Sequence, residues 1–332
     1  MATKSATAPS RTAAQSAYAG ILTTLSEGSV NKHFDPYTEI DWDAPEWAVV
    51  PNDPRWILPA DSDPLGAHPW YLAQSEARKI EIGMWRQANV AKVGLQFEEV
   101  LIGGVMNYLF AVVPNGSGEF RYLNHEVAEE VNHTLMFQEM VNRIGLDVPG
   151  MSRFMKAVGP LVPLLGRFFP TTFFVAVLAG EEPIDHVQKS VLRAGENVHP
   201  IMRDVMRIHI AEEARHIAFA HEYLRQRVPK LGFVQRGTLS LAYPIIMFIA
   251  CDLIVKPPRS LFREFDIPIG IRRELFWRSP EARARRRDFF GEARMLASDI
   301  GLMNPVAKLT WRLLRIDGGN SRYRGEPVRT RA

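Results

Sequence analysis

A glutamate and a histidine three residues apart occur twice in this chain, in "EEVNH" at 129–133 and again 83 positions later in "EEARH" at 212–216. Both lie in segments whose apolar residues recur three and four apart, the period of an amphipathic helix. On a helix the two side chains share one face about a turn apart. In the later segment Glu213 shares its face with Met206, His209, Ile210, His216, Ile217 and Ala220, while Arg203, Arg207, Ala211 and Arg215 lie opposite. In the earlier one Glu130 and His133 align with Leu123, Val127 and Phe137. A carboxylate that faces a core is costly unless it is paired or holds a metal. In each doublet the second glutamate is therefore the candidate, and Glu129 and Glu212 are expected to be solvated or supporting.

The rest of the chain is read in the same way. Helical periodicity predicts core helices at about 70–112, 121–145, 168–194 and 198–227, with more near 151–165, 231–255 and 280–301, and no alternating strand pattern interrupts them. Residues 1–65 are punctuated by Pro, Asp and Ser and read as an extended, partly disordered N-terminal arm, followed by a helical domain over 66–305 and a loose tail over 306–332. The expected fold is all-α, a four-helix bundle with flanking helices. A balance of 40 basic against 37 acidic residues argues against a nucleic-acid surface. The lone Cys251 and the absence of a signal-peptide core point to the cytoplasm. Two apolar stretches, 161–180 and 239–255, are broken by Arg167 and Pro170 and by Pro244 and Asp252, so they read as buried helices ahead of membrane contact.

The first and third core helices each offer an adjacent pair of glutamates. In "GLQFEEVLIGG" Glu98 falls with Ala91, Gly94, Leu95, Leu101, Ile102 and Val105, whereas Glu99 sides with Lys92 and Gln96; Glu98 is preferred and Glu99 stays open. In "VLAGEEPIDHV" periodicity does not separate Glu181 from Glu182, and Pro183 disturbs the ladder beside them. The bland reading of either Glu-x-x-His is a buried pair bonded to itself. Two such pairs plus a glutamate from each of two further helices make the ligand set of carboxylate-bridged di-iron and di-manganese bundles. Mixed Glu and His ligation suits iron or manganese better than zinc or calcium.

One further inward histidine distinguishes "IHIAEEARH": His209 precedes Glu213 by four residues and His216 by seven. With "GMW" at 83–85, the "EE" of the first core helix, "EEVNH" and "GEEP", this resembles the p-aminobenzoate N-oxygenase family of ferritin-like, non-haem di-iron enzymes over about residues 65–227. The resemblance implies Glu98, Glu130, His133, Glu182, His209, Glu213 and His216 as metal ligands. Glu182 is preferred on the family's spacing of 27 residues to the additional histidine. Pro183 departs from the family's pattern, and the arm and the region after 230 match it poorly. The implied activity is a mono-oxygenase that uses two irons and O2 to N-oxygenate an amine, aryl amine to hydroxylamine or nitro product. Its partners would be a small-molecule substrate and an external electron donor, since no nucleotide fingerprint is present. A cavity walled by Leu95, Ile102, Val127, Phe137, Val175, Leu178 and Met206 is expected; the arm before residue 65 and the apolar stretch 239–255 are compatible with a homodimer, and the oligomeric state stays open. His125, His186 and His221 are expected at the surface or in support. An acyl-chain desaturase or hydroxylase, and a non-enzymatic iron-binding protein, are the alternatives.

Overall fold

A computed structural model describes residues 11–319, and among them every regular element is helical. The longer helices are α1 (Arg11–Asn31), α2 (Glu76–Ala111), α3 (Gly118–Ile144), α4 (Pro170–Arg193), α5 (Pro200–Arg227), α6 (Phe233–Val255), α7 (Pro280–Phe289), α8 (Gly291–Asp299) and α9 (Pro305–Leu313). Their ends follow local chemistry. Ser75 and Ser117 cap α2 and α3 by accepting from the amides of Arg78 and Phe120, α3 stops at the left-handed Gly145, and prolines open α4 and α5.

Helices α2 to α5 form the bundle. One apolar cluster joins Leu101 and Val105 of α2, Leu123 of α3, Phe174 and Leu178 of α4 and Ile217 of α5. A second joins Ala88 and Ala91 of α2, Phe137 and Met140 of α3, Val191 of α4 and Val205 of α5. Read along each helix, these clusters make α3 and α4 parallel to one another and antiparallel to α2 and α5. The segment 145–169 must therefore cross back along the bundle, which is the single-crossover connectivity of ferritin-like folds. The glutamates and histidines of the two repeats fall between the clusters.

Close approach of α2 and α4 depends on a glycine. A Cβ on Gly180 would stand 2.1 Å from the Phe97 ring, so only hydrogen fits where these two residues precede Glu181 and Glu98.

Several segments differ from their sequence reading. Within the expected extended arm, Arg11–Asn31 is a helix packed on α3 and α5; its Ala-rich composition supports a helix without a strong apolar stripe. Residues 1–10, expected to be disordered, lie outside the described residues. Part of the expected loose tail is α9, anchored by Trp311, which is 2% exposed and lies 6.0 Å from the Tyr243 ring. Residues 320–332 lie outside the described residues. The two apolar stretches are not buried throughout: Phe168 and Phe169 are exposed ahead of α4, and α6 presents Leu241, Ile245 and Ile249 to solvent.

Replacing Gly180 by alanine is expected to destabilise the protein by about 1–3 kcal/mol, because the Phe97 ring or the helix must move to admit the methyl group. A Gly116→Ala control, with nothing within 4 Å of the added carbon, should melt like the parent in the same thermal scan.

Candidate metal centre

Seven side chains converge between the two apolar clusters, each 0% exposed: Glu98 from α2, Glu130 and His133 from α3, Glu181 from α4, and His209, Glu213 and His216 from α5. Helical spacing positions them. In α3 and α5 the Glu-x-x-His pairs place Nδ1 of His133 3.0 Å from Glu130 Oε2 and Nδ1 of His216 3.2 Å from Glu213 Oε1. The pairs also reach across the bundle, with His133 Nδ1 3.3 Å from Glu213 and His216 Nδ1 2.9 Å from Glu130. His209, one turn before Glu213, points Nε2 at Glu98 Oε1 (3.2 Å) and lies 3.7 Å from Glu213 Oε1. Glu213 is thus approached by all three histidines.

The donors resolve into two overlapping groups whose atoms lie within 4.8 Å of one another: Glu98, His133, His209 and Glu213, and Glu130, Glu213 and His216. The two groups share Glu213, as a carboxylate bridging two ions would. The chemistry of the donors tests whether a pair of cations fits. Burial raises the Glu98 carboxyl well above the usual carboxylate range, and Glu130 and Glu213 add to the effect. The same holds for Glu181, which is raised by burial and then by Glu213, Glu98 and Glu130. No hydrogen-bond donor meets either carboxyl oxygen of Glu181 or Oε2 of Glu98. Buried oxygens without donors, crowded by like charges, are what a cation satisfies. Burial, followed by His133, lowers His209 to about 3, so it stands as a neutral ring able to ligate.

The expected α4 residue is not the one at the centre. Glu182 turns away from it, accepting from His221 Nε2 at 2.7 Å and from the Ala293 amide in the first turn of α8 at 3.1 Å. Glu181, one residue earlier and 100° around the helix, takes the inward place. The adjacent pair is separated by neighbours that lie far along the chain, and a fixed spacing to His209 does not register them. At α2 Glu98 is buried and Glu99 is exposed.

Glu129 and Glu212, expected to be solvated or supporting, are both buried. His216 Nε2 lies 2.7 Å from Glu129, and His133 Nε2 lies 3.0 Å from Glu212. The first glutamate of each doublet thus meets the histidine of the other. Arg215, which sequence periodicity places on the outer side, reaches Glu129 at 2.8 Å. Burial opposes ionisation of Glu129, yet His216 and Arg215 outweigh it and hold the carboxyl below its usual range. Phe34 N donates to Glu212 Oε1 at 3.2 Å, so the segment after α1 also closes over this polar shell. Glu126, not anticipated, is buried beside Tyr122 and His216, and burial pushes it up to about 8. The helical spacing 122–126–130 was the available signal, since it places Glu126 on the stripe of Glu130. His221 supports Glu182, and His186 is partly buried against Phe289. Of the expected lining, Val175, Leu178, Phe137 and Met206 are buried core residues.

Ligating histidines are oriented by acceptors on their outer nitrogen, and loss of such a partner typically weakens metal affinity 10- to 100-fold. Glu129→Gln and Glu212→Gln should each lower metal affinity by about that factor while far-UV circular dichroism remains that of the parent. Competition with a chelator provides the measurement.

The family model of the p-aminobenzoate N-oxygenase AurF matches residues 15–301, beyond the 65–227 stretch that the motifs cover, and includes most of the arm and the region after 230. Uncharacterized proteins from Mycobacterium tuberculosis and Mycobacterium bovis are each 62% identical over 312 residues, spanning 94% of this chain and 91% of theirs. With a match that covers most of its length and a buried Glu/His cluster able to bind metal, the chain belongs to the p-aminobenzoate N-oxygenase AurF family.

Proposed function

We propose that this chain is a di-iron mono-oxygenase that N-oxygenates an amine, with Glu98, Glu130, His133, Glu181, His209, Glu213 and His216 holding the two irons. The observation that carries the reading is the approach of three histidines to Glu213 between two carboxylate-rich donor groups. Bound iron would supply the activation of O2, with electrons from an external donor. The protein's own contribution is positional. Glu212 and Glu129 face the outer Nε2 of His133 and His216 and would hold the proton there, so that a metal could take the inward Nδ1 of each ring.

Water is kept from the centre by its walls. Phe137 packs 5.0 Å from the His209 ring, and Phe97, Leu101 and Ile217 lie in the apolar cluster on the other side of the ligand layer. A third histidine favours N-oxygenation over an acyl-chain desaturase, whose ligand pattern does not call for His209. The same enclosure counts against an iron store, which must exchange its metal.

The test is iron content per chain after anaerobic loading, together with products from an aryl amine and an acyl chain supplied in parallel. The parent is expected to hold two irons and to return N-oxidised amine. Glu181→Ala and His209→Ala should lose iron or O2-dependent turnover, while Glu182→Gln should keep both irons and lose about 1.5–3 kcal/mol of stability with its charged hydrogen bonds. A parent that binds only zinc, or a Glu182 variant that loses iron while the Glu181 variant retains it, would overturn the reading.

A further inference from the structure

Helix α6 is strongly apolar yet only partly enclosed. The stretch Phe233–Glu264 is long and apolar enough to cross a membrane, its most apolar window having a mean hydropathy of 2.0, yet only 33% of that window is buried. Its exposed residues are ordered: Val234, Leu241, Ile245 and Ile249 recur at helical spacing on one side, with Phe233 93% exposed at the leading end. The opposite side is committed to the protein. Tyr243, Met247 and Cys251 are buried against the core, and Ser240 accepts from Asn304 at 2.7 Å. A helix held along one side cannot give up that side to lipid, so it can lie on a bilayer but not cross it.

Charge identifies the surface that would meet it. Residues 228–316, which carry α6, hold 16 Lys and Arg against 8 Asp and Glu, a net of +8. Residues 1–227 hold 20 against 27, a net of −7. The near-neutral whole therefore conceals two halves of opposite sign, and the exposed apolar stripe belongs to the basic one. Lys230 before α6 and Arg259 and Arg263 after it are exposed, so cations stand at both ends of the helix, with the exposed Glu264 and Asp266 following the second pair.

We propose that α6 is a membrane-docking face: its apolar stripe enters the interface of an anionic bilayer, and the flanking basic residues meet the lipid headgroups. An exposed apolar stripe with cations at both ends, in a part of the chain of net positive charge, fits a lipid surface, which offers acyl chains and phosphates together. The inference does not rest on the metal centre and would survive a different activity.

Co-sedimentation of the full-length protein with vesicles tests it. Binding is expected to vesicles containing phosphatidylglycerol but not to pure phosphatidylcholine, and it should weaken as salt rises from 0.05 to 0.5 M, the test conditions chosen for screening. Ile245→Glu with Ile249→Glu should reduce binding about tenfold or more, with the far-UV spectrum intact. Lys230→Glu with Arg259→Glu provides the second route, reducing binding without touching the stripe. Failure to bind either vesicle, or equal binding to both, overturns the proposal. So does a stable dimer that the Ile245/Ile249 variant dissociates and that binds no vesicle, because a second copy of the chain would then cover the face.

Discussion

Four carboxylates and three imidazoles buried between two apolar clusters impose a cost that the rest of the fold is arranged to meet. A charge left unpaired in such a setting shifts its protonation or destabilises the protein. The histidines alone do not balance the layer: His209 is held neutral by burial, while Glu98 and Glu181 are pushed toward protonation. Cations held here would supply the positive charge that a layer so rich in carboxylates calls for, and the sharing of Glu213 between two donor groups fits a pair of ions.

The doublets "EEVNH" and "EEARH" are explained by the reciprocity of their contacts. Each needs one glutamate facing inward and one turned toward the partner helix, where it receives the outer nitrogen of the other helix's histidine. A single Glu-x-x-His could not supply both roles. The exchange locks α3 to α5 through charged contacts in addition to apolar packing, and Arg215 and the Phe34 amide satisfy what remains of Glu129 and Glu212. The N-terminal segment thereby joins the polar shell around the site.

Legibility followed from how local the deciding contact was. The bundle, the inward Glu98, the second glutamate of each doublet and the extra His209 all follow from position on an apolar stripe, which a single helix displays by itself. Glu129 and Glu212 did not, because a residue off the stripe can still be buried when a partner helix brings a complementary group. The face of α6 was misread for the converse reason: an apolar segment predicts burial only if some other element covers it, and none of the described elements covers this side. The helix in the arm was hidden by weak periodicity, since α1 covers the polar shell of the bundle and has little need of a broad apolar stripe.

The pair Glu181–Glu182 shows how far a local rule can reach. Both residues are buried, both are acidic, and Pro183 follows them, so neither polarity nor periodicity separates them. They differ only in what they face. Glu181 looks into the bundle behind Gly180, where the missing side chain lets α4 approach Phe97 closely. Glu182, 100° around the helix, meets His221 and the first turn of α8, where a free amide and the positive end of the helix favour a carboxylate. One glutamate serves the centre and the other ties the C-terminal helices to the bundle. Exchanging their roles would require α4 to rotate by about a quarter turn, breaking its packing on both α2 and α6. The orientation of the pair is therefore set by the two surfaces that α4 touches, which a count of residues to a distant histidine does not register.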